Sequence, residues 1–167
     1  MKKIALRGLH GEGKFALVDD SDFEWLSQYF WHVAHGYPQR GIFPGEPGSR
    51  QGVRQTIRMH QMIAGGIGAP QQDHRDRNPL NNQRSNLRPA TFSQNMANRR
   101  MIHNKSGFRG VIFHPGAQYH HKPWQPYVQA CGRRYYNGYY ATAHEAAAAY
   151  NIMAIKHHGE FAQLNDL

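Results

Sequence analysis

The chain has 167 residues, 40% of them hydrophobic, and a formal net charge of +9 with the histidines neutral. That length holds one ordinary domain or two small ones, with small cores rather than one large one. A single cysteine, Cys131, excludes an intrachain disulfide and a CxxC zinc site, and no run of about 18 apolar residues is present to span a membrane. The charge suits a polyanionic partner, most simply nucleic acid, or else a basic but inert surface. The twelve histidines are scattered, with no HxxxH pair on a helical pattern, and read as surface or packing residues. The opening MKKIALRGLHGEGK lacks the apolar run of a signal peptide, so a soluble protein in a reducing compartment is expected.

Lys3–Leu6 and Phe15–Val18 predict two short strands, with Gly11 and Gly13 in the turn between them. Asp19-Asp20-Ser21-Asp22 supplies helix-cap chemistry, because a capping side-chain oxygen accepts a hydrogen bond from a free helix N–H. Phe23, Leu26 and Phe30 then fall on one helix face, with Trp25 alongside. Trp31–Val33, Tyr37–Ile42 and Gln55–Met59 predict further strands, and Pro44–Gly52 a Gly/Pro-rich hairpin loop. His60–Ile63 begins a short helix that Gly65-Gly66 stops. His60 can touch a phosphate or pack beneath the segment that follows; packing is the expectation.

The segment Asp73 to Asn95, DHRDRNPLNNQRSNLRPATFSQN, carries the chemistry. Asp73 and His74 are adjacent, and on a strand they point to opposite faces, so they serve one site only at a strand end or an irregular turn. Asn78, Pro79, Asn81 and Asn82 supply turn chemistry. Thr91–Arg100 predicts a helix capped by Thr91, with Asn95 and Arg99 on one face. Hydrolysis of a phosphodiester needs an activated water, charge neutralisation at the phosphate and a stabilised leaving oxygen. A neutral histidine suits the first task and a divalent ion the other two. Mg²⁺ takes oxygen ligands and keeps several waters, so one carboxylate and one amide oxygen are a reasonable protein share.

Asp73-His74, Asn82, Asn86-Leu87-Arg88 and Gln94-Asn95 together resemble the HNH nuclease motif, a ββα-metal unit, in its phage homing-endonuclease branch. The match covers about thirty residues in order and spacing. The resemblance implies that His74 is the general base and that Asp73 and Asn95 bind Mg²⁺ or Mn²⁺. It further implies that Asn86 holds the hairpin and orients His74, and that Arg88 is structural or phosphate-facing. Arg77 stands where many relatives have glycine, which tolerates a positive φ that arginine does not. The turn then differs slightly, or Arg77 reaches DNA.

Beyond Lys105-Ser106-Gly107, strands are predicted from Arg109 to Phe113, Trp124 to Ala130 and Arg134 to Tyr136. Tyr127 and Gln129 share one face and Val128 lies on the other. A polar loop spans Pro115 to Pro123, and Cys131-Gly132-Arg133 makes a turn. Thr142 and Glu145 form a capping box for an alanine-rich helix. Phe108-Arg109-Gly110-Val111, Trp124, Gly132-Arg133, Tyr136, Gly138, Thr142, Glu145-Ala146-Ala147, Ala149-Tyr150 and the ending His158-Gly159 to Leu164-Asn165 resemble the AP2 DNA-binding domain. That family lays a three-stranded sheet, backed by one helix, into the major groove. Carried across, Arg109, Trp124, Tyr127, Gln129, Arg134 and Tyr136 face DNA, while Trp124 and Tyr150 also read as packing residues. Ile112, His114, Gln129, Gly116 and Asn137 depart from the family pattern, so base preference does not transfer.

The expectation is therefore an α+β protein with three parts. Residues 1–101 form N-terminal strands and a nuclease domain with its motif at 71–100, residues 102–106 a linker, and residues 107–167 an AP2-like module. The resemblances imply a metal-dependent endonuclease of double-stranded DNA with a homing role, monomeric or weakly dimeric. They place it in the cytoplasm of a bacterium or phage-infected cell, with Arg88 and Arg99 among its DNA contacts. A non-catalytic AP2-type regulator and an RNA-acting nuclease are the rival classes.

Overall fold

The computed structural model describes residues 1–43, 45–46, 55–99, 104–116 and 121–167. Most of the loop expected at 44–52, residues 102–103 of the expected linker and much of the loop before Pro123 lie outside them. The chain divides into two compact units, Met1–Ala90 and Thr91–Leu167. Among the described residues no helix is long and apolar enough to cross a membrane.

Alternation builds the first unit. Strands β1 (Lys2–Ala5) and β2 (Phe15–Val18) pair antiparallel, Ile4 opposite Ala16. Their inward residues Ile4, Ala16 and Val18 join Leu6, Leu26, Trp31, Val33, Met59 and Ile63 in one core. Helix α1 (Asp20–Ser27) contributes Leu26 to it, and the indole N–H of Trp31 donates to the Leu26 carbonyl at 2.9 Å. Phe30 lies beyond the helix, 70% exposed, under the Arg7 guanidinium. Strands β3 (His32–Ala34), β4 (Tyr37–Ile42) and β5 (Gln55–Arg58) form an antiparallel sheet in that order. His35 and Gly36, at φ 51° and 83°, make its first hairpin, a primed two-residue turn whose twist matches the flanking strands. Helix α2 (Met59–Ile63) follows β5 directly, and strands β6 (Gln72–His74) and β7 (Leu87–Pro89) form a separate two-stranded ribbon.

Asp19 occupies the N-cap of α1 but makes no side-chain cap bond. Its carboxylate instead accepts the Arg84 backbone N–H at 2.8 Å and the Gln83 amide at 3.3 Å. Asp22, 2% exposed, takes two guanidinium bonds from Arg84, each 2.8 Å. The expected cap chemistry is thus redirected to a distant loop, because a buried carboxylate needs a charged, hydrogen-bonding partner. The same loop is strapped to β2, with Leu17 N–H donating to the Leu80 carbonyl and Asn82 N–H to the Leu17 carbonyl, both 2.8 Å.

In the second unit, α3 (Phe92–Asn98) starts at a capping box of Thr91 and Gln94. It ends at Asn98, two residues short of the expected Arg100. Arg99 is extended, with ψ 129°, so it leaves the face that carries Asn95. Strands β8 (Val111–Phe113), β9 (Trp124–Ala130) and β10 (Arg133–Tyr136) form an antiparallel sheet with β9 central. Helix α4 (Ala143–His158), boxed by Thr142 and Glu145, covers one face. Val128 meets Tyr150, Met153 and Ala154, while Val111 meets Ala146 and Ala147. Small side chains let the helix approach the sheet closely.

Gly110 marks where that approach is tightest. Its φ is +65°, and an added Cβ would sit 2.3 Å from the Tyr150 ring and 2.5 Å from the Tyr127 carbonyl oxygen. Gly132 has φ +76° but nothing within 4 Å of such a Cβ. Gly110→Ala is expected to cost about 3 kcal/mol through overpacking added to backbone strain, and Gly132→Ala about 1 kcal/mol through strain alone. Urea unfolding of both variants checks this; equal losses would show that the close approach does not matter.

Candidate active site

Strand β6 is only three residues long and ends on His74. Its partners on β7 are Pro89 for Gln72, Arg88 for Asp73 and Leu87 for His74. Asp73 and Arg88 are both buried, and Arg88 donates through Nε at 2.9 Å and through a terminal nitrogen at 2.8 Å to Oδ2 of Asp73. Asp73 and His74 thus stand at the end of the ribbon, Asp73 tied across it to Arg88.

The loop that follows His74 is a closed set of side-chain bonds. The Asp76 carboxylate accepts from Asn78 N–H at 2.8 Å, Asn81 Nδ2 at 2.7 Å and Asn86 Nδ2 at 2.9 Å. Asn86 returns the bond, its Oδ1 accepting from Asp76 N–H at 3.0 Å, and its Nδ2 also reaches the Asn81 carbonyl at 2.8 Å. Its backbone carbonyl takes the Arg75 N–H at 2.9 Å. Burial pushes the Asp76 carboxyl up, but its hydrogen bonds from Asn78, Asn81 and Asn86 and the neighbouring His74 together leave it below the usual carboxylate range. Arg77 adopts φ 63° and donates its N–H to the His74 carbonyl at 2.9 Å. The turn thus keeps the left-handed geometry that glycine would take, with arginine in its place.

His74 is 6% exposed. Burial pushes its imidazole below the ordinary 6.5, while the Asn82 amide, Asp76 and Asp73 pull the other way without cancelling it. Behind it stands His60, 5% exposed, with ring centroids 5.0 Å apart and planes at 89°. Tyr37 completes the cluster, 5.5 Å from His60 and 6.0 Å from His74. Burial foremost, then His74 and Arg58, push His60 down to about 3. His60 is thus packed beneath the segment rather than presented at the surface.

The other expected residues distribute as follows. Asn95 is half-buried on α3, in the second unit. Arg99 is exposed at the end of α3. Arg109, expected at the DNA face, has its guanidinium inside the second unit: Nε donates to the Tyr150 hydroxyl at 2.8 Å, and the terminal nitrogens donate to the carbonyls of Met96, at 3.1 Å, and Arg99. Trp124, also expected there, packs on the helix side against Val111, Ala146 and Ala147. Tyr127, Gln129, Arg134 and Tyr136 share the opposite face, with Arg134 opposite Gln129 and Tyr136 opposite Tyr127. Arg134 lies over the Tyr127 ring at 5.3 Å. Asp76 and the His60–Tyr37 pair were not singled out for the site from sequence. The Asx pattern of Asp76 ahead of Asn78 was the available signal for the first; the second is a contact between distant segments.

Among the described residues no three His, Cys, Asp or Glu side chains gather as a metal cluster. The Asp73 carboxylate, oriented by Arg88, and the Asn95 amide are oxygen donors, the donor chemistry that a hard divalent ion takes.

His74 is thus a buried histidine with its imidazole pushed below its ordinary value and Asp73 and Asp76 near it. A protein of Acanthamoeba polyphaga mimivirus bearing the name "Uncharacterized HNH endonuclease" is 32% identical over 160 residues, covering 94% of this chain and 78% of that protein. The chain belongs to the HNH endonuclease family and is an HNH-type endonuclease. No family model matches it, and no solved structure does.

Two stability measurements follow. Arg77→Gly should stabilise by about 0.5–1 kcal/mol, since left-handed strain exceeds the entropy that glycine adds to the unfolded chain; a lowered melting temperature would contradict that. Unfolded His60 binds a proton near 6.5 and folded His60 only near 3, so the unfolded state holds more protons between those values. Stability is therefore full above 6.5 and falls as the pH drops toward 3, by up to about 1.4 kcal/mol per pH unit for this group. Urea midpoints at about pH 7 and about pH 4.5 should show a smaller loss for His60→Phe than for the unaltered chain.

Proposed function

We propose that this endonuclease is metal-dependent, acts on duplex DNA and uses His74 as its general base. The observation that supports this most is the environment of His74: a buried imidazole pushed below its ordinary value is neutral near pH 7 and ready to accept a proton. The water that loses that proton attacks phosphorus in line, and the departing 3′ oxygen leaves products with 5′-phosphate and 3′-hydroxyl ends. Asn86, through its exchange of bonds with Asp76, holds the loop that carries His74. Arg88 fixes the Asp73 carboxylate.

Asp73 and Asn95 are the ligands assigned to Mg²⁺ or Mn²⁺. When bound, the ion supplies charge neutralisation at the scissile phosphate and at the leaving oxygen. Residues 71–100 form the nuclease motif, seated on the minor groove by family analogy. Residues 107–167 are an AP2-type module whose outer sheet face, with Tyr127, Gln129, Arg134 and Tyr136, lies in the major groove. The guanidinium and phenol groups there suit phosphate and base-edge contacts. One base per chain makes a nick; cutting both strands takes two chains or two binding events. A homing role in a phage or intron-encoded element is the biological setting that the resemblance implies.

Supercoiled plasmid should be nicked with Mg²⁺ or Mn²⁺ and remain intact in EDTA. His74→Ala should slow nicking by about 10²- to 10⁴-fold. Nicking unaffected by that substitution removes His74 as the base, and specific binding without cleavage favours the regulator. Arg134→Ala should weaken DNA binding and reduce the salt slope by about 1.

A further inference from the structure

We propose that His60 is a positioning residue for His74: its imidazole, in edge-to-face contact with that of His74 and with Tyr37 beside both, fixes the plane of the base. This rests on the reading of His74 as the general base.

Three elements meet in the cluster. Tyr37 comes from β4, His60 from the first turn of α2 and His74 from the end of β6. The Arg58 guanidinium lies over the Tyr37 ring at 4.5 Å. With Tyr37 at 5.5 Å from one imidazole and 6.0 Å from the other, neither imidazole can swing without displacing a neighbouring ring.

Packing alone does not account for a histidine here. Among the described residues Nδ1 of His60 is buried with no hydrogen-bond partner. An apolar side chain of similar volume would fill the space without that cost. What histidine or another aromatic offers, and leucine does not, is a flat ring, and two rings packed edge to face hold one another in plane. The two imidazoles lie 5.0 Å apart with their planes at 89°.

The roles of the two histidines do not interchange. His74 is faced by Asp73, Asp76 and Asn82, whereas His60 is faced by Arg58 and His74. The groups facing His74 oppose the effect of its burial, whereas those facing His60 add to it. In the reaction one O–H bond of water breaks, its proton passes to a ring nitrogen of His74, and the electron pair stays on the attacking oxygen. His60 gains and loses nothing; it stays neutral beside the new imidazolium.

The test is single-turnover nicking of supercoiled plasmid by the full chain with Mg²⁺, with rate and half-saturating DNA read separately. His60→Leu should lower the rate roughly 10- to 100-fold and leave half-saturation unchanged. His60→Phe, which restores a neutral ring, should recover most of the rate. His74→Ala is the control: if it nicks like the unaltered chain, the base assignment fails whatever His60 does. If His74→Ala is inactive while His60→Leu keeps its rate, or changes half-saturation alone, the positioning role is overturned. Recovery by Phe no better than by Leu overturns the part assigned to the ring. If His60→Leu does not fold by circular dichroism, the unaltered chain decides by nuclear magnetic resonance. Cross-relaxation between the ring protons of His60 and His74 supports the proposal, and its absence overturns it.

Discussion

Withdrawal of one imidazole from water is the constraint on which the first unit turns. A histidine in solvent gains its proton just below neutrality, whereas burial pushes His74, 6% exposed, below that ordinary value. Polar groups around such a site are mostly paired within the protein. The loop behind His74 pairs them through Asp76, Asn78, Asn81 and Asn86, whose bonds close on one another. Its outer end is fixed by Arg84 on Asp22, and its middle by the two backbone bonds to Leu17. The asparagines thus hold in shape a loop whose first residues, Arg75 to Asn78, are exposed.

Much of this was legible because it is local. The alternation of Tyr37–Ile42 and Trp124–Ala130 is that of β4 and β9, and the boxes Thr91/Gln94 and Thr142/Glu145 open α3 and α4. What was not legible involves partners far apart in the chain. Asp19 looks like a helix cap because nothing nearby competes for it; its acceptors' work lies with Gln83 and Arg84, 64 and 65 residues on. Arg109 looks free because no acid is near, yet carbonyls and a phenol satisfy a guanidinium as well. His60 was expected to pack beneath the Asp73–Asn95 segment, but not to meet the His74 and Tyr37 rings, since ring-on-ring contact has no spacing rule in sequence. Asn95 was expected beside the pair on the ribbon, and the helix that carries it groups with the second unit, to which Arg109 binds the Met96 and Arg99 carbonyls.

The second unit separates its aromatic residues by face. Trp124 packs on the helix side, and Tyr135 stacks on His157 at 4.1 Å. Tyr127 and Tyr136 stand on the other side, 6.2 Å apart, with Gln129 and Arg134. Strand period alone produces this division, and it leaves one face apolar enough to hold α4 and the other polar and cationic. The viral relative matches across 94% of the chain, so the likeness extends over both units.

Arg77 joins backbone strain to surface charge. A left-handed arginine holds its N–H on the carbonyl of His74, so the turn cannot relax to an ordinary conformation without breaking that bond. The guanidinium is therefore joined, through one amide, to the residue that carries the imidazole. A glycine at the same position would keep the turn and lose the charge.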